Sequence, residues 1–261
     1  MRIISLSVDG LHQAAQRGLY DWLAEQDADI ICLQDLRCLE SETDDDIFHP
    51  KGYNAYFFDS GVKHYNGVAI YSRAMPKALI YGLGFSSGVD MEGRYLQIDF
   101  DQISVGSLLA PSAFSDIESH EVKAQFFDDL QAHLTKIARK RRDFIFCGNW
   151  AVAPKEDDVS NPEQQKNQSG FLPEEKQWMS QLGAIGYFDA FRQGNTDRDE
   201  YSWWPSGEQG TGDAWRTDLQ IASTALKHQV EYGVIYKKQQ FSSHLAVIVD
   251  YDFELEPEPE F

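Results

Sequence analysis

Among the side chains of this 261-residue sequence, Asp35, Asp218 and His244 stand out as groups that could hold a hard cation or move a proton. Asp35 ends the apolar run in ICLQDLR at 31–37, Asp218 lies in WRTDLQIAS at 215–223, and His244 lies in SSHLAVIVD at 242–250. Each also has a structural reading: His244 as a satisfied histidine at a strand end, and Asp218 as an ion pair with its neighbour Arg216. In FCGNWAVAP at 146–154 the polar side chain is an amide, Asn149, which cannot accept a proton from water at neutral pH; Ala151, two residues on, offers no donor at all.

A second group is electrostatic. Lys136, Arg139, Lys140, Arg141 and Arg142 form a dense basic cluster in a chain whose formal net charge is -19. Proteins that grip nucleic acid unaided usually release counterions through clustered Lys and Arg, so this acidic chain is not expected to bind nucleic acid strongly alone. The cluster reads either as helix-end electrostatics, since cations complement a helix C-terminus, or as a phosphate or partner contact. Trp203 and Trp204 invite base stacking, but adjacent strand residues face opposite ways, and core packing is the favoured reading.

The elements that must position these groups follow from periodicity. Residues 2–8 read as a strand, 11–26 as a helix with an apolar face at Leu11, Ala14, Ala15, Leu19, Trp22 and Leu23, and 29–34 as a second strand. From Tyr53 to Ala110 short strands follow one another between Gly, Ser, Asp and Pro breaks, as in antiparallel sheet. Helical spacing returns over 119–138, DFIFCG makes a buried strand, a helix begins near Pro173, and DLQIAS, EYGVIY and HLAVIVDYDF supply the last strands. The polar stretches 40–46 and 155–170 read as mobile loops. One α/β domain over 1–253 is expected, with an extended, solvated Glu/Pro tail at 254–261. The three cysteines lack paired spacing and read as free thiols, with Cys38 the one expected to reach solvent. The start of the chain lacks a secretory pattern and no apolar run spans a bilayer, so a cytoplasmic protein without membrane contact is expected.

In their order, ICLQDLR, GVAIYS at 67–72, FCGNWAVAP, WRTDLQIAS and SSHLAVIVD resemble the exonuclease-endonuclease-phosphatase superfamily, and FLPEEKQWM at 171–179 and EYSWWPSG at 200–207 extend the likeness to the exodeoxyribonuclease III type. The resemblance implies a four-layer α/β sandwich, two mixed β-sheets flanked by helices, with a site among loops at one end of the sheets. It also implies a set of working side chains from which this chain departs. Ser7 stands where an asparagine is usual and Asp35 where a glutamate is, Leu109 for a tyrosine, Asn149 for the aspartate that handles the attacking water, Ala151 for a phosphate-binding asparagine, and Ser243 for an aspartate beside His244.

Those departures, with Asp218 and His244 the survivors, lead to the expectation of a vestigial pocket with no catalytic residues, no metal and no cofactor. Further likenesses in MRIIS, ADIICLQD, GRYLQ, RKRR and IVDYD resemble the catabolite repression control branch of the superfamily, which implies a non-catalytic regulator. It would act with Hfq on A-rich mRNA segments in a ternary complex to repress translation, with the basic cluster at 136–142 as its RNA or partner contact. The alternative is a diverged metal-dependent phosphodiesterase, a nuclease of the abasic-site endonuclease kind.

Overall fold

A computed structural model describes residues 1–114 and 119–255. Among these residues, twelve strands form two six-stranded sheets. The first contains β1 (Arg2–Ser7), β2 (Ile30–Gln34), β3 (Asn54–Phe58), β4 (Val68–Ser72), β11 (Val230–Ile235) and β12 (Val247–Tyr251), ordered β11-β12-β1-β2-β4-β3. The second contains β5 (Ala78–Tyr81), β6 (Tyr95–Asp99), β7 (Ile103–Leu109), β8 (Asp143–Asn149), β9 (Tyr187–Asp189) and β10 (Asp218–Ser223), ordered β5-β6-β7-β8-β10-β9. The helices are α1 (Leu11–Gln16), α2 (Leu19–Ala24), α3 (His120–Ile137), α4 (Pro162–Gln165), α5 (Pro173–Gln181) and α6 (Ala190–Gly194).

Each sheet is mixed, with one parallel pair near its middle: β1 with β2, and β7 with β8. Parallel neighbours need a crossover, and the chain supplies α1 and α2 for the first pair and α3 for the second. Ile3, Ile30, Cys32 and Ile70 of one sheet meet Ile98, Val105, Ile145 and Cys147 of the other in the central core. Leu11, Trp22 and Leu23 cover the outer face of the first sheet over Ile4, Leu6 and Leu33. Phe126, Leu130, Leu134 and Trp178 cover the second over Phe146 and Leu219. The four layers expected from the sequence are therefore present, and the central strands are near-continuously apolar because both faces are buried.

Three expectations need correction. The helix expected over 11–26 is two short helices, because Gly18 adopts a left-handed backbone (φ 85°) between them. The stretch 155–170 is not a loose loop: Asp158 is fully buried and its carboxylate is taken by Arg216 at 2.8 Å and Arg192 at 2.7 Å. A charge in the core is tolerable when it is paired and hydrogen-bonded, and here the pair ties the loop down. Cys38, like Cys32 and Cys147, is buried and free. Of the Glu/Pro tail, residues 256–261 lie outside the described residues.

The sheets are tied together near one end by a buried polar seam. Gln34 Nε2 donates to Ser107 Oγ at 2.8 Å, Ser107 Oγ donates to the Leu33 carbonyl at 3.0 Å, and Ser5 Oγ lies 3.4 Å from Gln34 Oε1. Replacing Gln34 with Leu strips Ser5 and Ser107 of their shared partner inside an apolar interface. The expected cost is about 1–3 kcal/mol, read as a lower urea midpoint with an unchanged denaturant slope.

Candidate functional site

The topology sends many chain ends to one edge. β1, β2, β7 and β8 finish there at Ser7, Gln34, Leu109 and Asn149, while the antiparallel neighbours β4, β10 and β12 begin there. Asp218, first residue of β10, pairs with Asn149, last residue of β8. The loops beyond these ends enclose a cleft of about 850 Å³ lined by Asp9, Asp35, Arg37, Asn66, Arg94, Asn149, Trp203 and His244, among others.

The cleft is where the backbone is strained. Among the described residues, eight non-glycine residues have positive φ, and six of them line it: Asp9, Asp35, Arg37, His64, Asn66 and Ala151. Such conformations cost free energy and persist where surrounding contacts over-determine them. At Ala151 (φ 52°) those contacts are visible: its N–H donates to Asn149 Oδ1 at 2.9 Å, and its carbonyl accepts from the buried Lys123 ammonium at 2.8 Å. Lys123 is held in turn by Glu175 at 2.6 Å.

Asp218 and His244 form a buried dyad. His244 Nδ1 lies 2.8 Å from Asp218 Oδ2, which also accepts from Ser202 Oγ at 2.6 Å. Trp203 stacks on the imidazole, with centroids 5.8 Å apart and planes 20° apart. His244 thus has a carboxylate partner although Ser243 stands beside it where an aspartate is usual, and the reading of Asp218 as the ion-pair partner of Arg216 is overturned, because Arg216 bonds Asp158 and Asp189 instead. Burial alone disfavours a charged ring, but the Asp218 charge and hydrogen bond, with Asp9 and Asp35 behind them, raise the His244 pKa above its usual 6.5. With Nδ1 committed to Asp218, Nε2 is the ring atom left for chemistry.

On the other wall, Asp9 and Asp35 share one guanidinium. Arg37 Nε and Nη2 grip the two oxygens of Asp35 at 3.1 and 2.6 Å, and Nη2 reaches Asp9 Oδ1 at 3.3 Å. The second Asp9 oxygen accepts from Ser243 N and Oγ at 2.7 and 2.5 Å. Burial pushes the Asp35 carboxyl up more than Arg37 draws it down. Asp9 is held below its usual value, because His244, Ser243 and Arg37 together outweigh its burial. The divalent cation implied by the resemblance does not fit these residues as arranged. Both oxygens of Asp35 are occupied by a guanidinium, and no group of three or more His, Cys, Asp or Glu among the described residues is placed to hold an ion.

Of the residues singled out from the sequence, Asp35, Leu109, Asn149, Ala151, Ser243 and His244 line the cleft, whereas Ser7 and Asp218 are fully buried, Asp218 against the His244 ring. Sequence reasoning missed Asp9, two residues beyond Ser7 on the same strand end, and Arg37, the last residue of ICLQDLR. It also missed Arg94 of GRYLQ, a buried guanidinium donating to Tyr65 Oη at 3.0 Å. Trp204 packs in the core as expected, but Trp203 lines the cleft. The basic cluster is elsewhere: Lys136, Arg139, Lys140 and Arg141 are exposed at the end of α3, and Arg142 is half-buried against Asp99 at 3.3 Å. It precedes β8, whose far end carries Asn149, so roughly 20 Å of strand separates it from the cleft.

Residues 8–232 match the endonuclease/exonuclease/phosphatase family. The chain belongs to this family. It is 30% identical over 251 residues to an exodeoxyribonuclease of Bacillus subtilis, covering 95% of this chain and 98% of that protein. It is 27% identical over 258 residues to a DNA-(apurinic or apyrimidinic site) endonuclease of Dictyostelium discoideum, covering 96% and 71%. An AP endonuclease structure from Archaeoglobus fulgidus superposes with a TM-score of 0.86 at 25% identity, covering 97% of this chain and all of the other. These relatives overturn the expectation of a non-catalytic, Hfq-dependent translational repressor: the proteins this family member matches along nearly its whole length are named as nucleases. The physical reason the expectation failed lies in the dyad, whose carboxylate comes from a different strand and not from position 243. Among the described residues no helix is long and apolar enough to cross a membrane.

The dyad carries a pH signature. A histidine whose folded pKa is raised adds stability that is fully present below its unfolded pKa and lost as pH rises through the folded value. The His244 ring is therefore expected to titrate above 6.5 by NMR, and to fall in Asp218→Asn. The stability difference between wild type and that variant is expected to shrink from acidic to alkaline pH in urea unfolding.

Proposed function

We propose that this protein is a phosphate-ester hydrolase acting on DNA, at an abasic site or a 3′ terminus, with His244 and Asp218 as its proton-transfer pair. The observation that carries the reading is the 2.8 Å Asp218–His244 contact at the floor of a strained cleft. The pair supplies an imidazole with a carboxylate behind it, and the names of the relatives point to DNA as the polymer.

The chemistry follows from the donors present. Asp218 fixes the tautomer through Nδ1 and stabilises the imidazolium that forms when Nε2 takes a proton from water; the same proton can then pass to the leaving oxygen. Asn149 accepts from Ala151 with Oδ1, which leaves Nδ2 as a donor to orient a water or a phosphate oxygen. Arg94, buried and facing the cleft, offers positive charge to the phosphate in a low-dielectric setting. Phe114, Trp203 and Trp215 form an aromatic wall suited to a sugar or base face. The negative body means that this local charge, not a broad basic face, must attract the polyanion.

The test uses duplexes carrying an abasic site or a 3′-phosphate, with product resolved on denaturing gels. Wild type is expected to convert one of them, and His244→Ala and Asp218→Ala to lower the rate by about 100-fold or more without loss of folded protein. Absence of product from both duplexes at protein excess would sink the reading, as would an unchanged rate in His244→Ala.

A further inference from the structure

The carboxylates of Asp9 and Asp35 face the cleft, and both are already served by a positive charge from the chain itself. The Arg37 guanidinium makes four contacts there. Nε and Nη2 take the two Asp35 oxygens at 3.1 and 2.6 Å, Nη2 meets Asp9 Oδ1 at 3.3 Å, and Nη1 reaches the Asp9 carbonyl at 3.4 Å. A planar fork laid on a carboxylate in this way is stronger and more directional than a single charge contact.

The backbone is built to hold that fork. Asp9, Asp35 and Arg37 all have left-handed φ, at 52°, 58° and 52°. The Arg37 N–H donates to the Asn66 carbonyl at 2.7 Å, and the Leu36 N–H to the Gly67 carbonyl at 3.1 Å, so the turn is clamped to the start of β4. Ser243, through N and Oγ, occupies the remaining Asp9 oxygen. Hard divalent ions take carboxylate oxygens at about 2.0–2.6 Å, from magnesium to calcium, and tolerate no other cation between them. To bind here such an ion has to expel the guanidinium from Asp35.

We propose that Arg37 is the resident cation of the cleft, lodged between Asp9 and Asp35, and that it competes directly with divalent metal for those carboxylates. The inference goes beyond the hydrolase reading and does not rest on it, because occupancy of the carboxylates is measurable without any substrate.

The experiment titrates manganese into the full chain by calorimetry, with electron paramagnetic resonance counting the free ion. Wild type is expected to bind weakly. Arg37→Ala is expected to gain one site per chain, tighter by roughly 10-fold or more, and Arg37→Gln, which keeps a polar side chain and removes the charge, to gain the same site. The double variant Arg37→Ala with Asp35→Ala is expected to lose it, which places the gained ion on Asp35. Urea unfolding of each variant confirms that a folded chain was titrated. Equal manganese affinity in wild type and both single variants would overturn the proposal, as would a gained site that survives loss of Asp35.

Discussion

Everything at the cleft depends on the two sheets stopping level with each other. Four strand ends and three strand beginnings deliver the working residues, and they come from both sheets, so a slide of one sheet across the other would pull His244 away from Asp218. Apolar packing cannot prevent such a slide, since it has no direction. The Gln34–Ser107–Leu33 seam can, because its hydrogen bonds are satisfied in one register only. Gln220 makes a second tie, donating to the Ile3 carbonyl at 3.2 Å from the opposite sheet and accepting from Tyr251 Oη at 3.1 Å.

Within that frame several sheltered carboxylates are matched by cations: Asp158 has Arg216 and Arg192, Glu175 has Lys123, and Asp35 has Arg37. Asp90, fully buried, is held instead by the backbone N–H groups of Leu83, Gly84 and Phe85. Removal of one partner from a buried ion pair leaves an uncompensated charge in low dielectric, which costs far more than the intact pair contributes. The pairs also act at a distance. Lys123 links α3 and α5 to the left-handed turn at Ala151, so two helices on the outer face help to shape a loop in the cleft.

The architecture was legible because alternation, apolar runs and helical spacing are local signals; the parallel pairing of β7 with β8 was not, since the strands from Tyr53 to Ala110 read as antiparallel sheet. Residues of the ordered segments ICLQDLR, FCGNWAVAP, WRTDLQIAS and SSHLAVIVD also come together on one cleft. Its wiring was not legible. Arg216 is two residues from Asp218 in sequence, yet it reaches Asp158, 58 positions away, while Asp218 reaches His244 on the segment that leads into β12 of the other sheet. Reading side chains by sequence neighbourhood therefore paired the wrong charges, and made the loss of a carboxylate at Ser243 look like the loss of the histidine's support. The loop at 155–170 was misread for a related reason: its composition is polar, but the fate of a charged residue is set by whether a partner arrives from elsewhere in the fold.

The hydrogen bond from the Ala151 N–H to Asn149 Oδ1 has an evolutionary consequence. That bond needs only an oxygen acceptor at the side-chain end, and a carboxylate supplies one of the same shape. An aspartate at 149 would enter the existing turn with the left-handed Ala151 already in place and no backbone to rebuild. Asparagine and aspartate codons differ by a single base, so the acid and the amide are one mutational step apart on a scaffold that accommodates both.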